Sequence, residues 1–430
     1  MTKHVRCGSF FAGNDDQEHK DWTLVVGDDG TIAYAGPTAA APLPGPNATM
    51  VNYSGLFVMP GLIDVHTHLA YGNAKTEEDI DLYQPLEFRA IRGLFFAQKV
   101  VAAGYTSICA PGDAGQISLS VRNAIRAGLF EGPRVTAAGR YLTTPQGLTD
   151  WYPTWIGAPE TSIGKLVSGR DEAIEEIRRQ AKNGVDCIKI ALDGFHRRPD
   201  GELVAAFTQE ETSVMVAEAH RLGKKVVVHA RGREAVLYAA RAGVDLIFHA
   251  YYLDDQCIEE CLRSGSAIGP TLTFMRNIVD FTQPHEPAAT KGRIDDTQEE
   301  FEIACANLRK AHKAGVHRHR FRFRGDALRR VACARARDFR QASRFHPGRG
   351  VAGDHRGDRS VHGGWAQDRR AGTGPCRGLH CRRRLAARER VDPARQKPDP
   401  RRAHRRQADA DPEPQLRSPP GHRLCLDQLE

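Results

Sequence analysis

"RQAKNGVDCIKIAL", residues 179–192, joins a helix end, a glycine and a short apolar run. Gly184 can take the left-handed conformation that ends a helix. The run after it is short and bounded, as expected of a parallel strand buried on both faces. The same phrase returns as "KVVAAGYTSICA" (99–110), "HRLGKKVVVHA" (220–230), "RAGVDLIFHA" (241–250) and "RSGSAIGPTL" (263–272), with Gly104, Gly223, Gly243 and Gly265 in the capping place. Upstream, in "DEAIEEIRRQAKNG", Ala173, Ile174, Ile177 and Ala181 fall on one helical face, ready to cover the sheet. Alternating units of this kind imply an α/β barrel or a doubly wound sheet. A barrel takes about 250 residues, which 61–316 supply with little to spare. One more unit begins as "KAHKAGV", capped by Gly315. A strand is due, and "HRHRFRFRGD" follows instead.

Ahead of the barrel, residues 1–57 read as short strands with turns at "GDDGT" and "PGPN", a small β-layer that forms half of a sandwich and needs a partner segment. Residues 58–316 are the barrel. Residues 317–430 form a third, unlike piece. They hold 28 Arg and one Lys against 13 Asp or Glu, with no Ile, Met, Tyr or Asn, whereas residues 1–316 carry a net charge of −8. Ten Cys without a CxxC pair read as reduced thiols. With no apolar stretch of signal-peptide or membrane length, a cytoplasmic protein without a membrane partner is expected.

"PGLIDVHTHLAYG" (60–72) carries the sharpest chemistry. Two residues apart on a strand, His66 and His68 share a face, which at the C-terminal end of a barrel strand opens on the active-site mouth. Two neutral imidazoles there can grip a divalent cation, although HxH alone is as readily a pair of buried, satisfied histidines. "VVVHA" and "LIFHA" end the next two strands with His229 and His249. One such histidine is ordinarily structural; four at strand ends converge on one place, which favours a metal site. "DCIKIAL" adds Lys189 inside an apolar strand. Burying an unpaired ammonium is costly, so the residue snorkels, pairs with an acid such as Asp193, or is a neutral amine that captures carbon dioxide.

HxH on the first strand, Lys on the fourth and His on the fifth and sixth resemble the metal-dependent amidohydrolase superfamily. "GLFVMPGLIDVHTH" and "EGPRV" are most similar to its imidazolonepropionase-related branch, with its Xaa-Pro dipeptidases and hydrolases of aryl amides, carbamates and phenylureas. The resemblance implies a TIM-like (β/α)8 barrel with a small β-sandwich. It also implies two divalent cations, usually zinc. His66 and His68 would hold one, His229 and His249 the other, and Lys189, as its carbamate, would bridge them. The metal-bound hydroxide would cleave a C–N bond of a small molecule, and an Asp at the end of the eighth strand would shuttle the proton. A homo-oligomer is compatible with this reading. Arg231, in "VVVHARGREA", falls where relatives contact the substrate's tail, with a surface ion pair as the plain alternative. Tyr251, in "HAYYLDD", would narrow the pocket. "LTTPQGLTDWYP" lacks the His of the dipeptidase-like members, which argues with Tyr251 against dipeptidase activity.

The eighth-strand Asp is absent. "HRHRFRF" (317–323) can be coded CAC CGG CAC CGA TTC CGG TTC, which read one nucleotide later gives TGTDSG, the superfamily's habit at this point. "LRRVACARARD" (328–338) and "GLHCRRR" (378–384) have codings that the same shift turns into YGEWHARELE, a reasonable barrel helix, and DFIVVDG, a family-like closing strand. A frameshift near the Val316 codon is therefore expected. It would remove the eighth strand, its Asp and the second half of the sandwich, and leave an impaired enzyme with a tail that has no fold of its own. The alternative is a non-catalytic basic protein that holds nucleic acid through its Arg-rich tail. With few aromatics and no recognition motif, such binding would be non-specific and salt-sensitive. A metal-free sugar- or phosphate-binding barrel leaves the four histidines unexplained.

Overall fold

The computed structural model describes residues 2–13, 17–72, 74, 76–282, 291–316 and the backbone of 364–366. The N-terminal strands β1 (Lys3–Phe11), β2 (Glu18–Val26), β3 (Ile32–Pro37) and β4 (Thr49–Pro60) make one sheet, ordered β4-β1-β2-β3. Its hairpins are antiparallel, and β4 returns parallel to β1. The expected turn at "GDDGT" is present, with the Gly27 N–H donating to Thr31 O at 2.8 Å. β4 runs past residue 57 to Pro60 and leads directly into β5 (Leu62–Asp64). Among the described residues this is a single layer; the expected second half of a sandwich lies outside them.

From β5 onward helices alternate with parallel strands. After α1 (Glu77–Asp81) and α2 (Leu86–Ala102) come β6 (Tyr105–Ala110), α3 (Ile117–Arg126), β7 (Arg134–Ala137), β8 (Tyr141–Thr143), β9 (Gly164–Leu166), α4 (Arg170–Lys182) and β10 (Cys187–Ala191). A short hairpin, β11 (Asp193–Arg197) and β12 (Leu203–Ala205), precedes α5 (Gln209–Arg221), β13 (Lys225–Ala230), α6 (Arg233–Ala242), β14 (Leu246–His249) and α7 (Asp255–Ser264). Then follow β15 (Ala267–Gly269), α8 (Leu272–Phe281), α9 (Lys291–Ala314) and the three-residue β16 (Gly364–Ala366), which adds parallel to β4. β5-β6-β7 form one parallel sheet and β15-β14-β13-β10-β8-β9 another. Only three residues part β7 from β8, so the two sheets follow one another along the chain as a TIM-barrel-like wall.

The repeated phrase folds as read. Gly104, Gly184, Gly223, Gly243 and Gly265 all have φ between 70° and 96°, and each is followed by one of the expected strands. On α4 the buried face is turned slightly from expectation. Ala173 and Ile177 are buried, but Glu176 and Gln180 join them, while Ile174 and Ala181 are only partly covered. Hydrogen bonds hold both polar chains there: Gln180 Nε2 donates to Arg140 O and to Glu176 Oε1, at 2.7 Å each. The apolar runs Ile188–Leu192 and Val226–Val228 are fully covered and form the heart of the core.

Among the described residues nothing pairs with the outer edge of β5 or of β15. The last residue before the basic tail, Val316, is fully buried in the main core. The rest of the 317–430 tail lies outside the described residues. The six described cysteines are all free, and no helix among these residues is long and apolar enough to cross a membrane.

Candidate metal centre

Parallel strands all present their C-terminal ends on one side, and the chain puts its chemistry there. His229 is the last residue but one of β13 and His249 the last of β14; their rings meet edge to face with centroids 4.3 Å apart. His66 and His68 lie just past β5, which ends at Asp64 rather than running through the HxH as the sequence suggests. The extended pairing nevertheless continues, because Thr67 between them donates N–H and Oγ1–H to Cys109 O at 3.0 and 2.9 Å. The two imidazoles therefore still fall on one side, with Nε2 atoms 3.2 Å apart. His66 stacks on Phe248 at 4.2 Å and stands 5.2 Å from the His249 ring, so all four histidines adjoin.

Neighbouring groups decide which ring nitrogen is free. His68 turns Nδ1 to Gly112 O at 2.7 Å. His249 turns Nδ1 to Thr271 Oγ1 at 2.6 Å, with the Tyr251 hydroxyl at 3.2 Å, and leaves its buried Nε2 without a hydrogen-bond partner. Two consecutive residues here, His249 and Ala250, have left-handed backbones with φ of 78° and 51°. Lys189 rises from β10 into the same place. It is 2% exposed, Nζ has no hydrogen-bond partner among the described residues, and the Phe248 ring centroid lies 4.3 Å away. Neither snorkelling nor pairing with Asp193 describes it. Burial pushes its pKa down to about 7, and burial likewise holds His68 down to about 4 and His66, His229 and His249 below the ordinary imidazole value.

The donor set suits divalent cations: neutral imidazoles, a lysine that is readily deprotonated, and buried polar atoms left over. As they stand, no three His, Cys, Asp or Glu side chains among the described residues close to metal-ligand spacing. A cation would have to part rings that now rest on one another.

Arg231 is not a surface residue. It is buried, with Nη2 donating to Gly194 O at 3.0 Å, Nη1 3.8 Å from Glu300 Oε1, and its guanidinium 5.2 Å from the Phe195 ring centroid. Trp151 stacks on the same ring at 5.9 Å. Tyr251 is also buried, its hydroxyl against Thr271 and His249. Nothing in the sequence signals Thr271, a lone threonine after a strand, or Gly112, which acts through a carbonyl that every residue has. Asp193 was visible only as a partner for Lys189. It proves to face His229, with Oδ1 3.0 Å from Nε2.

The amidohydrolase family description matches residues 57–320. An ochratoxinase of Aspergillus niger is 28% identical over 287 residues, 61% of this chain and 58% of that protein. An imidazolonepropionase of Xanthomonas campestris pv. campestris is 27% identical over 292 residues, 62% of this chain and 68% of that one. The crystal structure of a Xaa-Pro dipeptidase with methionine bound superposes with a TM-score of 0.64 at 24% identity, covering 74% of this chain and 78% of its own. The chain thus spans less than two thirds of the ochratoxinase it resembles. With a family match over more than half its length, the chain belongs to the amidohydrolase family.

Proposed function

We propose that the chain is a metal-dependent hydrolase of a small-molecule C–N bond, in an amide, carbamate, urea or dipeptide-like substrate, impaired as written by loss of its acid–base residue. The observation that carries this is the convergence of His66, His68, His229 and His249 on Lys189, whose buried Nζ has no hydrogen-bond partner. His66 and His68 would hold one cation, His229 and His249 a second, and Lys189, as a carbamate, would bridge them. Bound cations, zinc in the usual case, supply a water acidified towards neutrality and a Lewis acid for the scissile carbonyl.

The chain's own residues prepare the place. Gly112 O and Thr271 Oγ1 fix the rings of His68 and His249. Phe248 screens Lys189 and His66 from water, and that burial keeps a share of the lysine neutral near pH 7, the form that combines with carbon dioxide. Arg231 with the Phe195–Trp151 ledge offers a cation beside flat faces, which suits a carbonyl or anionic tail on an aromatic substrate. Tyr251 would narrow the pocket through its hold on His249. Relatives named ochratoxinase and imidazolonepropionase support small C–N substrates.

The missing acid–base group is assigned to a frameshift near the Val316 codon. Val316 enters the core where a strand is due, the family match stops at residue 320, and among the described residues nothing pairs with the outer edges of β5 and β15. The test is to resequence the coding DNA there, restore the frame, and compare both proteins by metal analysis and by hydrolysis of amides, carbamates and ureas with and without chelator. The restored protein should hold metal and turn over, and the chain as written should be slower by about 10²–10⁴. Activity indifferent to chelator would refute the reading.

A further inference from the structure

Asp193 opens β11 four residues beyond Lys189 and is fully buried. Its two oxygens meet different partners. Oδ2 accepts the backbone N–H of Arg231 and of Gly232, each at 2.7 Å. Those residues carry the chain from His229 into α6, so the carboxylate is clamped by the turn that bears the ligand. Oδ1 lies 3.0 Å from His229 Nε2 but off the line of a good hydrogen bond, so the contact as it stands is electrostatic. A small rotation of the ring completes the bond. With Oδ2 taken by two N–H donors, Oδ1 is the oxygen left to face His229.

His68 and His249 direct Nδ1 to oxygen atoms, a carbonyl and a hydroxyl, and keep Nε2 towards the cluster. His229 is reversed, with Nε2 against the acceptor. A neutral imidazole bears one proton, and a carboxylate can only accept, so the proton belongs on Nε2 and the free lone pair on Nδ1. We propose that Asp193 is a positioning residue for a bound divalent cation, holding His229 as the Nε2–H tautomer so that Nδ1 is the nitrogen it offers to the metal. This rests on the metal-dependent reading above.

Asp193→Asn tests the point at constant size. Only the amide oxygen can accept the Arg231 and Gly232 N–H groups, so it takes the place of Oδ2 and turns the NH2 towards His229. Nε2 must then accept, and the proton moves to Nδ1. The experiment uses the full chain with histidine labelled in its ring nitrogens. Magnetic resonance of the metal-free protein reads the tautomers, competition against a fluorescent chelator reads zinc affinity and stoichiometry, and thermal melts without metal read stability. The expected result is an Nε2–H His229 in the wild type, an inverted ring in the variant, unchanged metal-free melting, and about 10–100-fold weaker zinc binding. An Nδ1–H His229 in the wild type overturns the proposal without any variant, which also decides the matter should the variant fail to fold. Zinc uptake unaffected by the substitution overturns this proposal alone. A wild type that takes up no zinc overturns the metal reading and this proposal with it.

Discussion

Asp113 shows how a single buried acid can set a pH dependence. It is 1% exposed, accepts from Ala70 N and Ser118 Oγ, and burial pushes its pKa up to about 6. An acid raised in the folded state binds more protons folded than unfolded, so its contribution to stability is fullest below pH 4 and falls away as pH rises through 6. Asp113→Asn removes the ionisation. Relative to the wild type, the variant should gain stability between pH 4 and pH 7, by on the order of 1–3 kcal/mol. Denaturant midpoints across that range check this, and a constant difference would count against it. The same scale sets the limit of legibility. The clustering of His66, His68, Lys189, His229 and His249 could be expected because their types are unusual in or beside apolar strands, whereas the contacts of Gly112 and Thr271 are made by groups that carry no signature in sequence.

Among the elements, the glycine caps were the most readable feature, because positive φ is a local demand that glycine alone meets cheaply. At Gly243 φ is 74° and a Cβ would meet nothing within 4 Å. Gly243→Ala should therefore cost only backbone strain, about 1–2 kcal/mol. α5 begins with a capping box in which the Thr208 side chain accepts from Glu211 N and Glu211 reaches back to Thr208 N. Thr208→Ala should cost about 1 kcal/mol. The sites are separate and lack shared partners, so a double variant should lose the sum; thermal or denaturant melts read all three. The end of β5 was misread by a few residues because the alternation of "DVHTH" continues after the ladder has become irregular. α4 was misread by a few tens of degrees because Gln180 and Glu176 bury through hydrogen bonds that hydrophobic periodicity does not see.

At the scale of the whole molecule, order and strand placement were legible from repetition alone, since each unit needs the next to cover it. The second sandwich half was inferred from resemblance and falls outside the described residues. If the β5 and β15 edges, unpaired among the described residues, stay uncovered, they are templates for pairing with other chains. The chain as written should aggregate on concentration and melt broadly, while the frame-restored protein should stay soluble and unfold in one cooperative step. Light scattering with calorimetry separates the two cases, and a monodisperse, cooperative product from the unrestored chain would argue against the missing strand.

The left-handed pair at His249 and Ala250 bears on how such a site can change over time. Each non-glycine residue held there costs about 1–3 kcal/mol, and the pair sits where β14 ends at His249. Glycine at position 250 would relieve the tension and would be favoured wherever stability alone is selected. It would also let the ring wander. If His249 serves as a ligand, a lineage with no use for it would be free to shed the tension, whereas one that uses it would have a reason to keep it.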